Sequence, residues 1–279
     1  MKTFPPIPRV EDAPPELFES GHLWIRELVD GASVRFWLQE SGLIQFGDRN
    51  RAYDSDEIPI PYRHTARHVR ESLDRSAFRT AVDDVESIVF FGVATHKRAI
   101  DYDWERTPSF LGVDVWSAVD ERFLPPDAVE QIYRRLGLAP VNAFEKEVRA
   151  VDFDPGSYEI PRSNWYDGPA KGVVLRNKTG NRAALLHPDF EETDDATLAD
   201  APAEELTRRY ATDRRFERIA AELERGGEPV TVDALCDRVF EEIAREEHER
   251  LFRDDRDIDV RAFRSELASL AQRFVAERA

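Results

Sequence analysis

The stretch Phe110-Leu-Gly-Val-Asp-Val-Trp116 is short and rich in β-branched and aromatic residues, which predicts a β-strand over Leu111–Trp116. Four more segments share this character, and helical segments lie between them. The other predicted strands are Ala32–Leu38, Leu43–Phe46, Ser87–Gly92 and Gly172–Arg176, and the predicted helices are Tyr62–Leu73, Arg75–Asp83 and Asp127–Leu136. Strands interspersed with helices favour an α+β domain with an antiparallel sheet.

The last third of the chain is predicted to be helical. Apolar residues recur at helical spacing in Ala203–Arg225, Val232–Phe252 and Val260–Arg278, and Thr231 is the predicted cap of the second of these helices. The sequence therefore predicts a mixed domain over residues 1–190, an acidic linker over 191–200 and an all-helical domain over 201–279.

The composition is strongly acidic. The 279 residues carry a net charge of -17, and only five of the 39 basic residues are lysines. This balance excludes a generic basic nucleic-acid binder, and it is typical of proteins kept soluble by self-repulsion in high salt, which predicts a haloarchaeal source. The single cysteine, Cys236, excludes an internal disulfide framework. With no signal peptide or long apolar stretch in view, we expect a soluble, cytoplasmic protein.

Several short segments follow one another in an order that resembles a known family. Together they are similar to the ATP-dependent RNA ligases of the covalent nucleotidyltransferase superfamily, over residues 1–190. The segments are Trp24-Ile-Arg-Glu-Leu-Val-Asp-Gly31, Phe46-Gly-Asp-Arg-Asn-Arg51, Phe90-Phe-Gly-Val-Ala-Thr-His96 through Phe110-Leu-Gly-Val-Asp-Val-Trp116, and Lys171-Gly-Val-Val-Leu-Arg176 with Arg182-Ala-Ala-Leu-Leu-His-Pro-Asp-Phe190.

The resemblance implies a nucleotidyltransferase fold with antiparallel sheets, followed by a C-terminal all-helical domain. It also implies ATP, Mg²⁺ and RNA as the molecules with which the family works. In that chemistry a lysine attacks the α-phosphate of ATP, the adenylate passes to a 5′-phosphate on RNA, and a 3′-hydroxyl displaces AMP. Such a lysine must be deprotonated near neutral pH, beside groups that neutralise the phosphate charge.

The sequence departs from the family at the positions that the resemblance marks as catalytic. Leu28 stands where the nucleophilic lysine is expected, and leucine has no nucleophilic atom. The other departures are Val93 for a ribose-contacting carboxylate, Val113 for the aromatic residue that stacks on adenine, Lys171 for a metal-binding glutamate, and Ala184 for a phosphate-binding lysine. We therefore identify no catalytic residue, and no metal ligand is predicted.

The candidate nucleotide-binding positions implied by the resemblance include both matched and replaced residues. They are Glu27, Asp30, Gly31, Arg49, Val113 and Lys171. Arg49 is the matched arginine that would reach ribose or phosphate, and a structural salt bridge is an equal alternative for it. For Lys171 three roles stay open: a relocated nucleophile whose pKa burial depresses, an anion contact, or a residue without a special role.

Three functions are compatible with these observations. The favoured one is a protein with a degraded adenylation site that binds RNA, ATP or AMP, or that partners an active ligase. The second is an RNA ligase that uses a relocated lysine or RNA adenylated by another enzyme. The third is an interaction protein without nucleotide binding, whose acidic helical domain contacts another protein.

Overall fold

The chain forms two units, one that combines sheets with helices and one built from helices. The computed structural model describes residues 2–54, 57–190, 201–252 and 258–278. The first unit comprises the described residues of 2–95 and 99–190, and the second comprises residues 96–98 with those from 201 to 278. The predicted linker, residues 191–200, lies outside the described residues.

The strands of the first unit are all antiparallel to their neighbours. They are β1 (His22–Glu27), β2 (Ala32–Leu38), β3 (Ile44–Gly47), β4 (Ala52–Tyr53), β5 (Ile88–Ala94), β6 (Phe110–Ser117), β7 (Arg122–Phe123), β8 (Ala143–Arg149), β9 (Gly172–Asn177) and β10 (Arg182–Leu186). They form a four-stranded sheet in the order β10-β9-β1-β8 and a six-stranded sheet in the order β4-β3-β2-β5-β6-β7.

Helices cover the outer face of the six-stranded sheet. The helices of the first unit are α1 (Glu16–Glu19), α2 (Ile60–Ser72), α3 (Arg75–Ala81) and α4 (Pro126–Arg135). Val69, Phe78 and Tyr133 from α2, α3 and α4 join Phe36 and Phe90 of the sheet in one buried apolar cluster. Because side chains alternate along a strand, the neighbouring residues of β2 and β5 point to the opposite, inner face.

The four-stranded sheet has an apolar outer face of its own. Leu23 and Ile25 of β1 pack with Val173 and Leu175 of β9 in a second buried cluster, to which Leu17 of α1 contributes. The alternate positions of the same strands face inward. The outer faces of both sheets are thus covered by apolar packing, and the inner faces are left to line a space between the sheets.

The second unit is a set of helices around an apolar core. They are α5 (Ala203–Tyr210), α6 (Asp213–Arg225), α7 (Val232–Glu246), α8 (His248–Leu251) and α9 (Val260–Arg278). Leu206, Phe216, Val239, Phe263 and Leu267 are each at most 1% exposed. None of the described helices has the length and apolar character that crossing a bilayer requires.

The α+β class, the antiparallel sheets and the helical C-terminal part are confirmed. Both ends of each predicted strand lie within two residues of the ends of an observed strand. The prediction of a single helix over Ala203–Arg225 is wrong. The helix is interrupted at Ala211. The Thr212 hydroxyl then accepts a hydrogen bond from the Arg215 N–H at the start of α6, as Thr does at helix N-termini. The helix predicted over Val232–Phe252 ends at Glu246, and the short α8 follows.

Candidate functional site

A cavity of about 350 Å³ lies between the inner faces of the two sheets. This volume is within the usual range of about 300–1,000 Å³ for small-molecule sites. Most of the lining side chains are apolar, and a few are charged. The cavity is therefore suited to a small ligand that has both an apolar part and a charged part.

The register of the four-stranded sheet brings the position of the missing nucleophile into this cavity. Arg26 of β1 is paired with Val174 of β9, which is paired with Ala184 of β10, and all three line the cavity. Leu28 lies two residues after Arg26 and lines it as well, while its backbone N–H donates to Gly172 O at 2.9 Å. The wall thus carries an isobutyl group at Leu28 and a methyl group at Ala184, where the resemblance places lysines.

The turn after Leu28 depends on a glycine. Gly31 has a φ of 150°, and a Cβ there would lie 2.4 Å from the backbone oxygen of Ala94. Only glycine allows this close approach of the turn to β5. Gly31 therefore fixes the entry of β2 into its sheet at the edge of the cavity, which it lines.

Residues 4–9, which we call the N-terminal strap, form part of the cavity wall. The Phe4 ring lies 5.2 Å from the Phe91 ring of β5. At the other end of the strap, Pro8 O accepts the backbone N–H of Ala184 at 2.8 Å. The strap thus connects the inner faces of the two sheets, and its apolar side chains contribute to the enclosure.

Two buried arginines present hydrogen-bond donors at the cavity. Arg26 Nη1 donates to Val113 O at 2.5 Å, and Arg35 Nη1 donates to Lys2 O at 2.7 Å. Within the described part of the chain, the Nε atom of each has no hydrogen-bond partner. Burial lowers the pKa of both guanidinium groups. Because both side chains line the cavity and carry positive charge, they favour an anionic ligand there.

The pKa values of two carboxyl groups at the cavity, Glu27 and Asp48, are shifted in opposite directions. Burial raises the pKa of Glu27, although Ser163 Oγ donates to it at 2.5 Å. Burial also acts to raise the pKa of Asp48, but donors from Tyr53, Arg51 and Asn50 outweigh it and lower that pKa. The Asp48 carboxylate is therefore held ionised by its own loop.

Lys171 and Asp30 form an ion pair. The Asp30 side chain is fully buried, and its Oδ2 also accepts the N–H groups of Ala99 at 2.7 Å and Ile100 at 3.1 Å. Neither Lys171 nor Asp30 is among the residues that line the cavity. Their positions indicate a role in joining the loop before β9 to the turn after β1.

The other candidate residues meet at the cavity. Those that line it are Glu27, Leu28, Gly31, Arg49, Val93, Val113 and Ala184. Arg49 is exposed at the rim, where a ligand phosphate could reach it. Their nucleotide-binding roles stay predictions, since the geometry shows only that these side chains share one space.

Sequence reasoning missed Arg26, Arg35 and the N-terminal strap. A signal existed for Arg35, because it follows Val34 and precedes Phe36 and Trp37 within a predicted strand. No local pattern marks the strap, since its contacts are made with β5 and β10, far along the chain.

The position that the resemblance assigns to a Mg²⁺ ligand does not fit this metal. The ion prefers carboxylate oxygens, yet the position where a metal-binding glutamate is expected carries Lys171. Lys171 places a positive charge there instead, already paired with Asp30. Across the described residues, no group of three or more His, Cys, Asp or Glu side chains is arranged to hold a metal ion.

The family model and three solved structures that match this chain are all described as RNA ligases. A family model described as RNA ligase matches residues 21–190, more than half of the chain. No curated protein matches the sequence.

Solved structures share the fold at low sequence identity. A Naegleria gruberi RNA ligase mutant with ATP and Mn has 11% identity and a TM-score of 0.53, covering 68% of this chain and 57% of that chain. Two forms of an archaeal ATP-dependent RNA ligase have 17% and 18% identity and a TM-score of 0.50, covering 100% of this chain and 65% of those chains. The chain thus spans about three fifths of the length of these structures.

Proposed function

Since the chain belongs to the RNA ligase family, we propose that it is a non-catalytic member that holds a nucleoside phosphate in the inter-sheet cavity without forming a covalent adenylate. The nucleoside phosphate is either free ATP or AMP or the 5′-phosphate end of an RNA. The single observation that carries the proposal is the position of Leu28 in the wall of a cavity that remains open.

The absence of a usable amine supports the non-catalytic part. Among the described residues, no lysine lines the cavity. Lys171, the candidate for a relocated nucleophile, is paired with a fully buried carboxylate. The pairing holds the Lys171 nitrogen at Asp30, and neither residue lines the cavity. Removing one charge-stabilising group costs about 2.7–4 kcal/mol in barrier height, and here several are replaced together.

The composition of the cavity wall supports the binding part. Val93, Val113 and Val141 give an apolar surface for a base, while Arg26 and Arg35 carry positive charges that favour an anion. In a chain with a net charge of -17, long-range attraction for RNA is weak, so binding rests on these local contacts.

The experiment is a calorimetric titration with AMP, ATP and a 5′-phosphorylated RNA oligonucleotide. We expect saturable binding that is lost in Leu28→Trp, because the indole fills the cavity. The control is Leu43→Trp, since Leu43 is 59% exposed and does not line the cavity. Binding that survives Leu28→Trp would contradict the proposed site. No binding of any of the three ligands would favour an interaction protein whose helical unit contacts another protein.

A further inference from the structure

The last residue of the N-terminal strap, Arg9, is held beside the edge of the four-stranded sheet. Its backbone is extended, with a φ of -66° and a ψ of 158°, and it pairs with Ala184 of β10 in a parallel bridge. The hydrogen bond from the backbone N–H of Ala184 to Pro8 O, at 2.8 Å, belongs to the same pairing. The strap thus adds a short segment to the sheet at β10, and this pairing fixes the position of the Arg9 backbone.

The side chain of Arg9 points toward the cavity. The next residue, Val10, packs against the apolar cluster on the outer face of the sheet. Because successive side chains of an extended chain point to opposite faces, Arg9 points to the inner face, as does its partner Ala184. Both residues line the inter-sheet cavity. The pairing therefore puts a guanidinium group beside the methyl group of Ala184 in the cavity wall.

Arg9 differs in its surroundings from the two buried arginines of the cavity wall. Arg26 and Arg35 each donate to a backbone oxygen. Arg9 is exposed, and among the described residues no carboxylate forms an ion pair with its guanidinium group. A ligand in the cavity can therefore reach the donors of Arg9 without breaking a side-chain contact with the described part of the chain.

The strap provides two kinds of surface to the cavity. Of its residues that line the cavity, Phe4, Pro6 and Ile7 are apolar and Arg9 is charged. A guanidinium group is well suited to phosphate, since its planar fork donates two parallel hydrogen bonds to phosphate oxygens. The charged end of the strap is thus the part that distinguishes a ligand with a phosphate from one without.

We propose that Arg9 binds the phosphate of the nucleoside phosphate in the inter-sheet cavity, which makes the strap part of the binding site. This role rests on the proposed function and specifies a residue that recognises the phosphate. Because Arg9 directly follows Pro8, which accepts from Ala184, a phosphate bound by Arg9 also holds the strap against β10. A nucleoside that has no phosphate lacks this contact.

The test is a calorimetric titration of AMP and of adenosine into the unmodified protein and into Arg9→Gln. We expect the dissociation constant for AMP to rise about tenfold or more in Arg9→Gln, as the loss of a hydrogen bond to a charged group predicts. The dissociation constant for adenosine should not change, because adenosine has no phosphate. Arg9→Lys keeps the charge and should lose less AMP affinity than Arg9→Gln.

Hydrogen exchange at the Ala184 amide gives a second readout. This amide donates to Pro8 O, so its exchange reports how firmly the strap is held against β10. AMP should slow the exchange in the unmodified protein, and adenosine should not. In Arg9→Gln, AMP should leave the exchange rate unchanged.

Arg135→Gln is the matched control. Arg135 lies at the end of α4, is exposed and does not line the cavity, so this variant should keep the AMP affinity of the unmodified protein. Because both arginines are exposed, both glutamine variants should melt close to the unmodified protein. If Arg9→Gln does not fold, the different effects of AMP and adenosine on Ala184 exchange in the unmodified protein decide.

Two results would overturn this role of Arg9 and leave the proposed function standing. One is AMP binding that Leu28→Trp abolishes but Arg9→Gln does not weaken. The other is an equal loss of AMP and adenosine affinity in Arg9→Gln, which would show that Arg9 shapes the cavity and does not recognise phosphate. Absence of AMP binding by the unmodified protein would overturn the proposed function and this role with it.

Discussion

The ammonium group of Lys171 is ion-paired with the carboxylate of Asp30, which is fully buried. The resemblance to RNA ligases places a metal-binding glutamate at position 171, and the chain has a lysine there that reaches the Asp30-Gly31 turn instead. The charge reversal thus forms a contact within the fold. This contact joins the loop before β9 to the turn after β1.

This pairing predicts a large stability effect for Lys171. Removing one partner of a buried ion pair costs about 3–5 kcal/mol, and since Lys171 is 24% exposed we expect the lower end, about 3 kcal/mol, for Lys171→Met in urea unfolding. Lys146→Met is the control, because the Lys146–Glu130 pair at 2.6 Å has a lysine that is 43% exposed, and we expect less than about 1 kcal/mol there. Equal losses in the free energy of unfolding for the two substitutions would show that the Lys171–Asp30 pair stabilises the fold no more than an exposed ion pair.

For the buried carboxyl group of Glu27 we predict a loss of stability as the pH rises. Burial raises its folded-state pKa above the ordinary value of 4.5, so the folded state keeps its proton to higher pH than the unfolded state. The free energy of unfolding therefore falls as the pH rises from 4.5 through the raised pKa, and is flat above it. The difference in unfolding free energy between the unmodified protein and Glu27→Gln, measured from pH 4 to 8, should show this fall. A difference that does not change with pH would contradict the raised pKa.

For His96 we predict the opposite pH dependence of the free energy of unfolding from that of Glu27. Burial, with the neighbouring His248, Arg98 and Arg245, lowers its pKa well below 6.5, so the unfolded state binds the extra proton first. Its contribution to stability is complete above pH 6.5 and is lost as the pH falls, at about 1.4 kcal/mol per pH unit. His96→Phe should flatten the unfolding free energy below pH 6.5, while His22→Phe, at an exposed position, should not. If both variants keep the slope of the unmodified protein, His96 is not the buried neutral group.

Restoring the lysine alone should not restore adenylation. Leu28→Lys places an amine in the cavity wall, but Val93, Lys171 and Ala184 still stand where a carboxylate, a metal ligand and a phosphate-binding lysine are expected. We therefore expect no covalent label from ATP on a denaturing gel. Strong labelling of Leu28→Lys would mean that the other replacements do not matter to the chemistry, against our reading of the site.

The sequence predicted the strands that carry β-branched and aromatic residues, and it predicted that the Leu28, Val93, Val113 and Ala184 positions belong together. It missed β1 and β8, which charged residues interrupt, and it missed β10, a short strand that begins at Arg182. In β1, Arg26 and Glu27 are buried with interior partners, whereas charged residues in a sequence are usually exposed. The ion pair of Lys171 with Asp30 was not predicted, since the two residues are 141 positions apart in the sequence.

We propose that the inter-sheet cavity holds a nucleotide without covalent attachment. The most direct measurement incubates the protein with α-labelled ATP in high salt with magnesium, and compares label retained on a filter by the native protein with label that survives denaturation. We predict retention by the native protein, loss of that retention in Leu28→Trp, and no label on a denaturing gel. Label that survives denaturation, and disappears in Lys171→Ala, would contradict the account and establish a relocated nucleophile.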